Sequence, residues 1–315
     1  MAPVSRLRRR GAALVLALHE GGTVAQVRGP LTGAAYHRAV PPASLPDLAP
    51  LAGLLVILEL AVGTVTVSAA LDQAGRVGRG FAGTTAAICV LLMGADLLLI
   101  SGASDIGALL HRTVDAGTAV TFIHLAVAFT VLLAVDAIFA AVGTEVSRRV
   151  VAAATIAVGL ACVVAAAAAI GPALGGTATA LLAFLAAALL GGAALSGMLL
   201  GHWYLVTPSM SFRPLRLSIY AVFAAIVVNC VVIGVALAGN GSRDRLLSGD
   251  QAFLFWLLVI GSGIVFTAGV NAFTLYFARI RANQPATAML YVLIISVVMG
   301  LVPAHMLYLL TGVGI

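Results

Sequence analysis

Eight apolar runs, each of about 20 residues or more, follow one another from about residue 50 to the end of the chain. A helix needs about 20 residues to cross about 30 Å of hydrocarbon. Only helices and closed barrels span membranes, because unpaired backbone groups are too costly in lipid. Barrel strands would alternate in polarity over about 10 residues, whereas the run 150–170 is apolar on every face. The sequence therefore predicts an all-α, polytopic integral membrane helical bundle of about eight transmembrane helices.

The composition agrees with a lipid environment and argues against a nucleic-acid partner. Only 9% of the 315 residues are charged and 62% are hydrophobic, whereas about 25% of the residues in soluble domains are charged. All 17 basic residues are arginine, and with abundant alanine, glycine and valine this usage indicates a GC-rich bacterial genome. The arginines lie at span ends and do not form one basic face, so we expect the lipid bilayer, not nucleic acid, as the main partner.

The chain divides into a tail and a membrane domain. Residues 1–48 are predicted to form an extramembrane N-terminal tail, and residues 49–315 an eight-helix transmembrane domain. Arginines at 6 and 8–10 followed by the apolar stretch 11–18 resemble a signal peptide. His19 and Glu20 interrupt that stretch, which favours a disordered or peripheral tail. The spans are expected at 50–71, 80–102, 118–141, 149–171, 177–203, 216–238, 252–279 and 285–312.

The distribution of arginines between loops predicts the orientation. Eight arginines lie in the odd-numbered loops and three in the even-numbered loops. Short loops rich in arginine stay in the cytoplasm. We therefore expect a multi-pass protein of the bacterial inner (plasma) membrane with both termini on the outer side.

Ionisable residues inside the spans are the candidate functional residues, since each costs about 2.5 to 3.5 kcal/mol to insert. Five qualify: Glu59, Asp96, His124, Asp136 and His305. Counting residues from the outer boundary places Asp96, His124 and His305 at roughly 9 to 11 Å depth. These three, with Glu59 as a secondary member, predict a polar layer that opens to the outside. Asp136 lies nearer the cytoplasmic end, where a loop arginine is its expected partner.

This set favours redox chemistry as the first functional hypothesis. Two histidines at matched depth, His124 and His305, are what axial ligation of a b-type haem requires. The same histidines with Asp96 and Glu59 suit quinol oxidation, in which a histidine accepts a hydroxyl hydrogen bond and a carboxylate takes the proton. The protein would then be a quinone- or haem-interacting subunit of a respiratory complex.

Two other functions remain open. In a proton-coupled transporter of a small solute or ion, Asp96 or Glu59 would be exposed alternately to each side of the membrane. In a non-catalytic scaffold or assembly subunit, the polar residues would only hold helices together. His124 would then hydrogen-bond to Asp96 or to a backbone carbonyl.

Missing motifs exclude several classes. The sequence has no Walker A, nucleophile-elbow, His-Glu-x-x-His or Cys-x-x-Cys-His pattern, which argues against ATP-driven transport, metalloprotease activity and covalent haem attachment. Cys89, Cys162 and Cys230 fall in separate spans without metal-ligand spacing, so we expect packing residues and no metal site.

Two groups of residues predict helix contacts. Gly197 and Gly201 form a GxxxG pattern, which permits close packing within the chain or with partner subunits, including a homo-oligomer. Asn229 and Asn271 are expected to find interhelical hydrogen-bond partners. The aromatic run at 202–204 is expected to anchor its span at the membrane interface.

Overall fold

The computed structural model describes residues 45–315 except 76, 103–113, 208–209 and 240. The predicted tail therefore lies, up to residue 44, outside the described residues, as do Arg76 and Arg112 of the predicted loops. The helices are α1 (Leu45–Gly75), α2 (Arg79–Gly102), α3 (Ala116–Val142), α4 (Glu145–Leu174), α5 (Thr177–Val206), α6 (Arg213–Ala238), the short α7 (Ser242–Leu246), α8 (Gly249–Leu254), α9 (Thr267–Arg279) and α10 (Asn283–Thr311), with a π-helical segment (Phe255–Phe266) joining α8 to α9.

Eight helices in this part of the chain are long and apolar enough to cross a membrane, which confirms the predicted polytopic helical bundle. The seventh is the continuous run Gly249–Arg279, made of α8, the π segment and α9. Large apolar side chains face outward, among them Leu91, Val131 and Val146. An outward apolar surface of this kind suits contact with lipid.

Polar side chains cap the starts of α3 and α4. Asp115 accepts a hydrogen bond from the Thr118 amide at 2.8 Å at the start of α3. Thr144 does the same for the Ser147 amide at 3.2 Å at the start of α4. These contacts satisfy amide groups that have no partner in the first turn of a helix. They also explain how loops of very few residues can separate neighbouring spans.

Helices α1 and α5 cross at the centre of the bundle with their backbones in contact. A Cβ atom added to Gly63 of α1 would lie 1.8 Å from the carbonyl oxygen of Ala188 of α5. One added to Gly192 would lie 2.1 Å from the carbonyl carbon of Gly63. Only glycine permits this approach, which places the two most buried helices side by side.

Buried amides hold the helices around this centre, as predicted. Asn229 of α6 donates to the Ala186 carbonyl of α5 at 2.9 Å. Asn271 of α9 donates to the Ile219 carbonyl of α6 at 3.0 Å. Both predicted interhelical bonds are therefore confirmed.

The GxxxG pattern of α5 is used within the chain. A Cβ atom at Gly201 would lie 2.7 Å from the side chain of Leu290 on α10, and one at Gly197 would lie 3.3 Å from the same residue. The Thr287 hydroxyl also donates to the Gly201 carbonyl at 3.0 Å. The pattern was predicted to pack either within the chain or against a partner subunit, and the structure shows packing within the chain.

The seventh span departs from regular α-helix where it packs on α10. The π segment runs for 12 residues, and a Cβ atom at Gly300 of α10 would come within 2.4 Å of the Gly263 Cα atom. Hydroxyl groups bridge the two spans, with Thr267 Oγ1 and Ser296 Oγ 2.8 Å apart. Pro303 lies inside α10, near its end. π-Helical turns are rare, and they are found frequently at functional sites.

Candidate functional site

A buried carboxyl and imidazole pair joins α1 to α10. Glu59 Oε1 and His305 Nε2 are 2.8 Å apart, and the side chains are 1% and 2% exposed. The other ring nitrogen of His305, Nδ1, lies 2.9 Å from the Leu301 carbonyl oxygen. A carbonyl only accepts, so Nδ1 donates its proton there. One further proton is therefore needed between Nε2 and Oε1, held by either the imidazole or the carboxyl group.

Aromatic rings enclose the imidazole. Phe184 of α5 stacks on His305 with ring centroids 5.6 Å apart and planes at 20°. Tyr308, one turn beyond His305, meets Phe184 edge to face at 5.6 Å. The Tyr308 hydroxyl and Glu59 Oε2 are both buried and have no hydrogen-bond partner among the described residues. Glu59 therefore keeps one oxygen without a partner, and Tyr308, which contacts the same Phe184 ring, brings a second such atom into this core.

The structure separates the other two predicted site residues from this pair. Asp96 of α2 is fully buried, and neither of its carboxylate oxygens has a partner among the described residues. His124 is exposed on the outer face of α3. Of the four candidates, Glu59 and His305 come together, whereas Asp96 and His124 hydrogen-bond neither to that pair nor to each other.

This placement bears on cofactor binding. Both ring nitrogens of His305 are hydrogen-bonded inside the protein, so ligation of haem iron would require the loss of one of these bonds. His124 faces away from the core, and the structure does not bring the two histidines to one common space. Among the described residues there is also no group of three or more His, Cys, Asp or Glu side chains that would hold a metal ion.

A second polar site, which the sequence did not predict, is a cavity of about 540 Å³ between α1, α2, α3 and α4. We call it the α1–α4 cavity. Three arginines and three acidic residues line it together with small and apolar side chains. The charged residues are Asp72, Arg79, Asp136, Glu145, Arg148 and Arg149. All six lie near the ends of four consecutive spans that meet at one end of the bundle. The clustering of charges at these span ends is the feature of the sequence from which the site could have been predicted.

An ion-pair network crosses this cavity from α4 to α1. Arg148 donates from Nη1 to Asp72 Oδ2 at 2.8 Å and from Nη2 to both Glu145 oxygens at 3.1 Å. Arg149 also pairs with Glu145, at 2.9 Å. Arg148 is 9% exposed, so this bridge is largely shielded from solvent and stronger than a surface pair. It ties the end of α1 to the first turn of α4.

Two charged residues of the cavity stay outside this network. Asp136, half-buried on α3, and Arg79, exposed at the start of α2, have no ion pair among the described residues. Asp136 was expected to pair with a loop arginine. Arg148 does attract it electrostatically, but the direct bonds of that guanidinium go to Asp72 and Glu145. The Thr85 hydroxyl in the cavity wall is buried and has no partner either.

The deep end of the cavity lies within two helical turns of the level of the Glu59–His305 pair. Cys89 Sγ of α2 lies 3.8 Å from the Ala61 carbonyl oxygen of α1, which sets the two antiparallel helices in register and places Thr85 level with Val65. Val65 lines the cavity, and Glu59 is six residues further into the membrane, about 9 Å along the helix. Thr64, between them, carries a buried hydroxyl without a partner.

The chain thus contains a buried proton-sharing pair near the middle of α1 and a charged cavity at one end of the same helix. Comparisons of the chain with protein-family models, curated proteins and solved structures found no match.

Proposed function

We propose that this protein is a proton-coupled carrier of small solutes and that the Glu59–His305 pair is its proton-binding site. The observation that carries the proposal is the 2.8 Å contact between these two side chains, both almost fully buried on different helices. Intramembrane ionisable pairs of this kind are characteristic of proton relays in transporters. The alternative transport hypothesis from the sequence is therefore favoured over the redox hypothesis.

Charge explains how such a pair couples proton movement to a change of conformation. With one shared proton the pair is neutral overall. Losing that proton would leave a net negative charge in the core, and gaining a second would leave a net positive charge. Each charge costs several kcal/mol away from water. The pair therefore exchanges its proton only when water reaches it, which happens when the surrounding helices open.

The helix that carries His305 has the features of a moving element. Pro303 removes one backbone hydrogen bond from α10 close to the histidine. On its other side α10 packs against the π segment through Gly263 and Gly300, with the hydroxyl contacts of Ser296 one turn away. A tilt of α10 against α1 would separate His305 from Glu59, which makes this contact sensitive to the conformation of the bundle.

The α1–α4 cavity is the solute chamber in this proposal. It opens at the end of the bundle where Arg148 and Arg149 lie, and the excess of arginine in the odd-numbered loops predicts that this end is cytoplasmic. The Asp72–Arg148 bridge closes one wall of the chamber. Loss or rearrangement of that bridge is the natural step for widening the route toward Glu59.

The test is gradient-driven uptake in proteoliposomes. The purified full-length protein is reconstituted, and accumulation of labelled amino acids, sugars and carboxylates is measured with the outside acidic. We expect at least one of these three solute classes to accumulate inside the vesicles and a protonophore to abolish its accumulation. Glu59→Gln is expected to abolish gradient-driven accumulation while keeping exchange of solute across the membrane, because the amide carries no exchangeable acid proton.

His124→Ala is the matched control, since it removes a histidine from the outer face of the bundle and should leave uptake unchanged. Two results would overturn the proposal. One is the failure of the wild-type protein to accumulate any of the three solute classes, and the other is normal proton-driven accumulation by Glu59→Gln.

Quinol binding is a second candidate, favoured by the Tyr308 hydroxyl and Glu59 Oε2. Both are buried without partners beside the stacked rings of Phe184 and His305, and a quinone headgroup needs polar contacts next to an aromatic face. Extraction of quinone from the purified protein, with a reduced-minus-oxidised visible spectrum, tests this role. Bound quinone that disappears in His305→Ala would favour it over transport.

A further inference from the structure

We infer that the α1–α4 cavity binds a small zwitterionic solute of the amino-acid type, with its ammonium group at Asp136 and its carboxylate at Arg79. This inference rests on the proposed function, because it names the class of solute that the carrier takes. It goes beyond that function in assigning the two residues that recognise the solute.

The charges of the cavity determine the class of ligand. Arg148 is neutralised by Asp72 and Glu145, and Arg149 shares Glu145. Within the described residues, these four side chains form a closed set with balanced charge. Asp136 and Arg79, one charge of each sign, form no direct ion pair among the described residues, and only the longer-range attraction of Arg148 acts on Asp136. A ligand that carries both an ammonium and a carboxylate group would form an ion pair with each of these residues, whereas a ligand of single charge would pair with only one.

The positions of the two free charges fit a short zwitterion. A Cβ atom at Gly83 of α2 would lie 3.4 Å from the Ala140 Cβ atom and 3.8 Å from the Ala137 carbonyl oxygen of α3. This contact fixes the level of the two antiparallel helices. Asp136 then lies slightly deeper than Gly83, and Arg79 lies one turn nearer the rim. The Cα levels differ by about 10 Å, a distance that the two side chains and a bound zwitterion together can span.

The remaining lining suits the rest of such a molecule. Val65, Ala82, Ala86 and Ile156 give the cavity an apolar wall, against which an aliphatic or aromatic side chain would pack. The unpartnered Thr85 hydroxyl is an additional hydrogen-bonding group. The volume of about 540 Å³ lies within the range of about 300 to 1,000 Å³ found for small-molecule sites.

Direct binding to the full-length protein in detergent tests the inference. Isothermal titration calorimetry with glycine, L-leucine and L-phenylalanine is the first measurement. Two analogues of leucine separate the charges: 3-methylbutylamine has the ammonium group without the carboxylate, and 4-methylpentanoate has the carboxylate without the ammonium group. We expect an amino acid to bind and each leucine analogue to bind at least about ten-fold more weakly than leucine.

Substitutions locate the site. Asp136→Asn and Arg79→Gln should each weaken amino-acid binding about ten-fold or more, because each removes one charge-assisted contact. Asp250→Asn and Arg279→Gln are matched controls on exposed residues outside the cavity lining and should bind normally. Thermal unfolding of every variant shows that its fold is retained.

The outcomes separate this inference from the proposed function. If none of the three amino acids binds, or if Asp136→Asn and Arg79→Gln bind as well as the controls, the inference is wrong. Proton-driven uptake of another solute pool would in that case leave the proposed function standing. Binding that depends on both residues in a protein that moves no proton would support the site and contradict the coupling.

Discussion

Removing one member of the Glu59–His305 pair should destabilise the bundle strongly, and removing both should cost no more. Each side chain is at most 2% exposed and the two share a 2.8 Å contact. Truncating one member leaves the other buried without its partner, which costs about 3 to 5 kcal/mol. The double variant leaves no such orphan. We therefore expect Glu59→Ala and His305→Ala each to lose about 3 to 5 kcal/mol, with a coupling energy of about 3 kcal/mol.

A surface pair in the same chain provides the control cycle. Tyr291 and His202 are also a histidine and its partner on two helices, α10 and α5, with a 3.2 Å contact, but both side chains are exposed. Because the aromatic run at 202–204 is expected at the membrane interface, we expect water or lipid headgroups to replace a lost partner there. His202→Ala and Tyr291→Phe should therefore show a coupling energy below about 0.5 kcal/mol.

Unfolding by sodium dodecyl sulfate in mixed micelles, followed by tryptophan fluorescence, measures both cycles on one scale. A coupling energy of Glu59 and His305 below about 1 kcal/mol would refute the reasoning. It would mean that each side chain finds another partner when the first is removed.

Three further predictions concern other parts of the bundle. Gly63→Ala should destabilise the protein by about 3 kcal/mol or more, because its Cβ atom would clash with the facing α5 backbone. Gly53→Ala in the same helix is the control: its Cβ atom meets nothing within 4 Å, so it should be neutral or stabilising by up to about 1 kcal/mol. Equal melting temperatures of the two variants would contradict this. Asp72→Asn should lower stability by about 1 to 3 kcal/mol in detergent unfolding, since it weakens the contact with the buried Arg148, and an unchanged midpoint would show that the bridge contributes nothing. Asp96→Val should raise the melting temperature, because it removes two buried oxygens without partners, and a loss of stability would reveal a partner for Asp96.

The number and order of the spans followed from the sequence because a hydrocarbon layer demands runs of a fixed length. Helix ends were less accurate. The fourth span, predicted at 149–171, begins at Glu145, because Thr144 caps it and the first turn carries the charges of Glu145 and Arg148. Hydropathy reports only the apolar part of a helix and misses a charged first turn.

Counting residues along the spans predicts a depth for each candidate residue, but it does not predict the direction in which the residue faces. These helices are apolar on nearly every side, so the sequence does not show which face meets a neighbour. Glu59 and His305 face each other, whereas His124 faces outward. Thr121, one turn before His124, donates to the Gly117 carbonyl of its own helix at 2.8 Å and is also exposed.

The α1–α4 cavity and the π segment required the structure. The cavity arises where four span ends leave a gap, and its charges are separated by up to 77 positions in the chain, from Asp72 to Arg149. The π segment has a sequence as apolar as that of any other span, and no residue in it marks the change of helix type.

The most direct test of the central claim is the proton movement that accompanies solute entry. A pH indicator sealed inside proteoliposomes reports protons that enter when a transported solute is added outside. The wild-type protein should acidify the interior in step with solute uptake, and Glu59→Gln should exchange solute without acidification. Acidification by Glu59→Gln equal to that of the wild type would contradict the role of the Glu59–His305 pair as the proton-binding site.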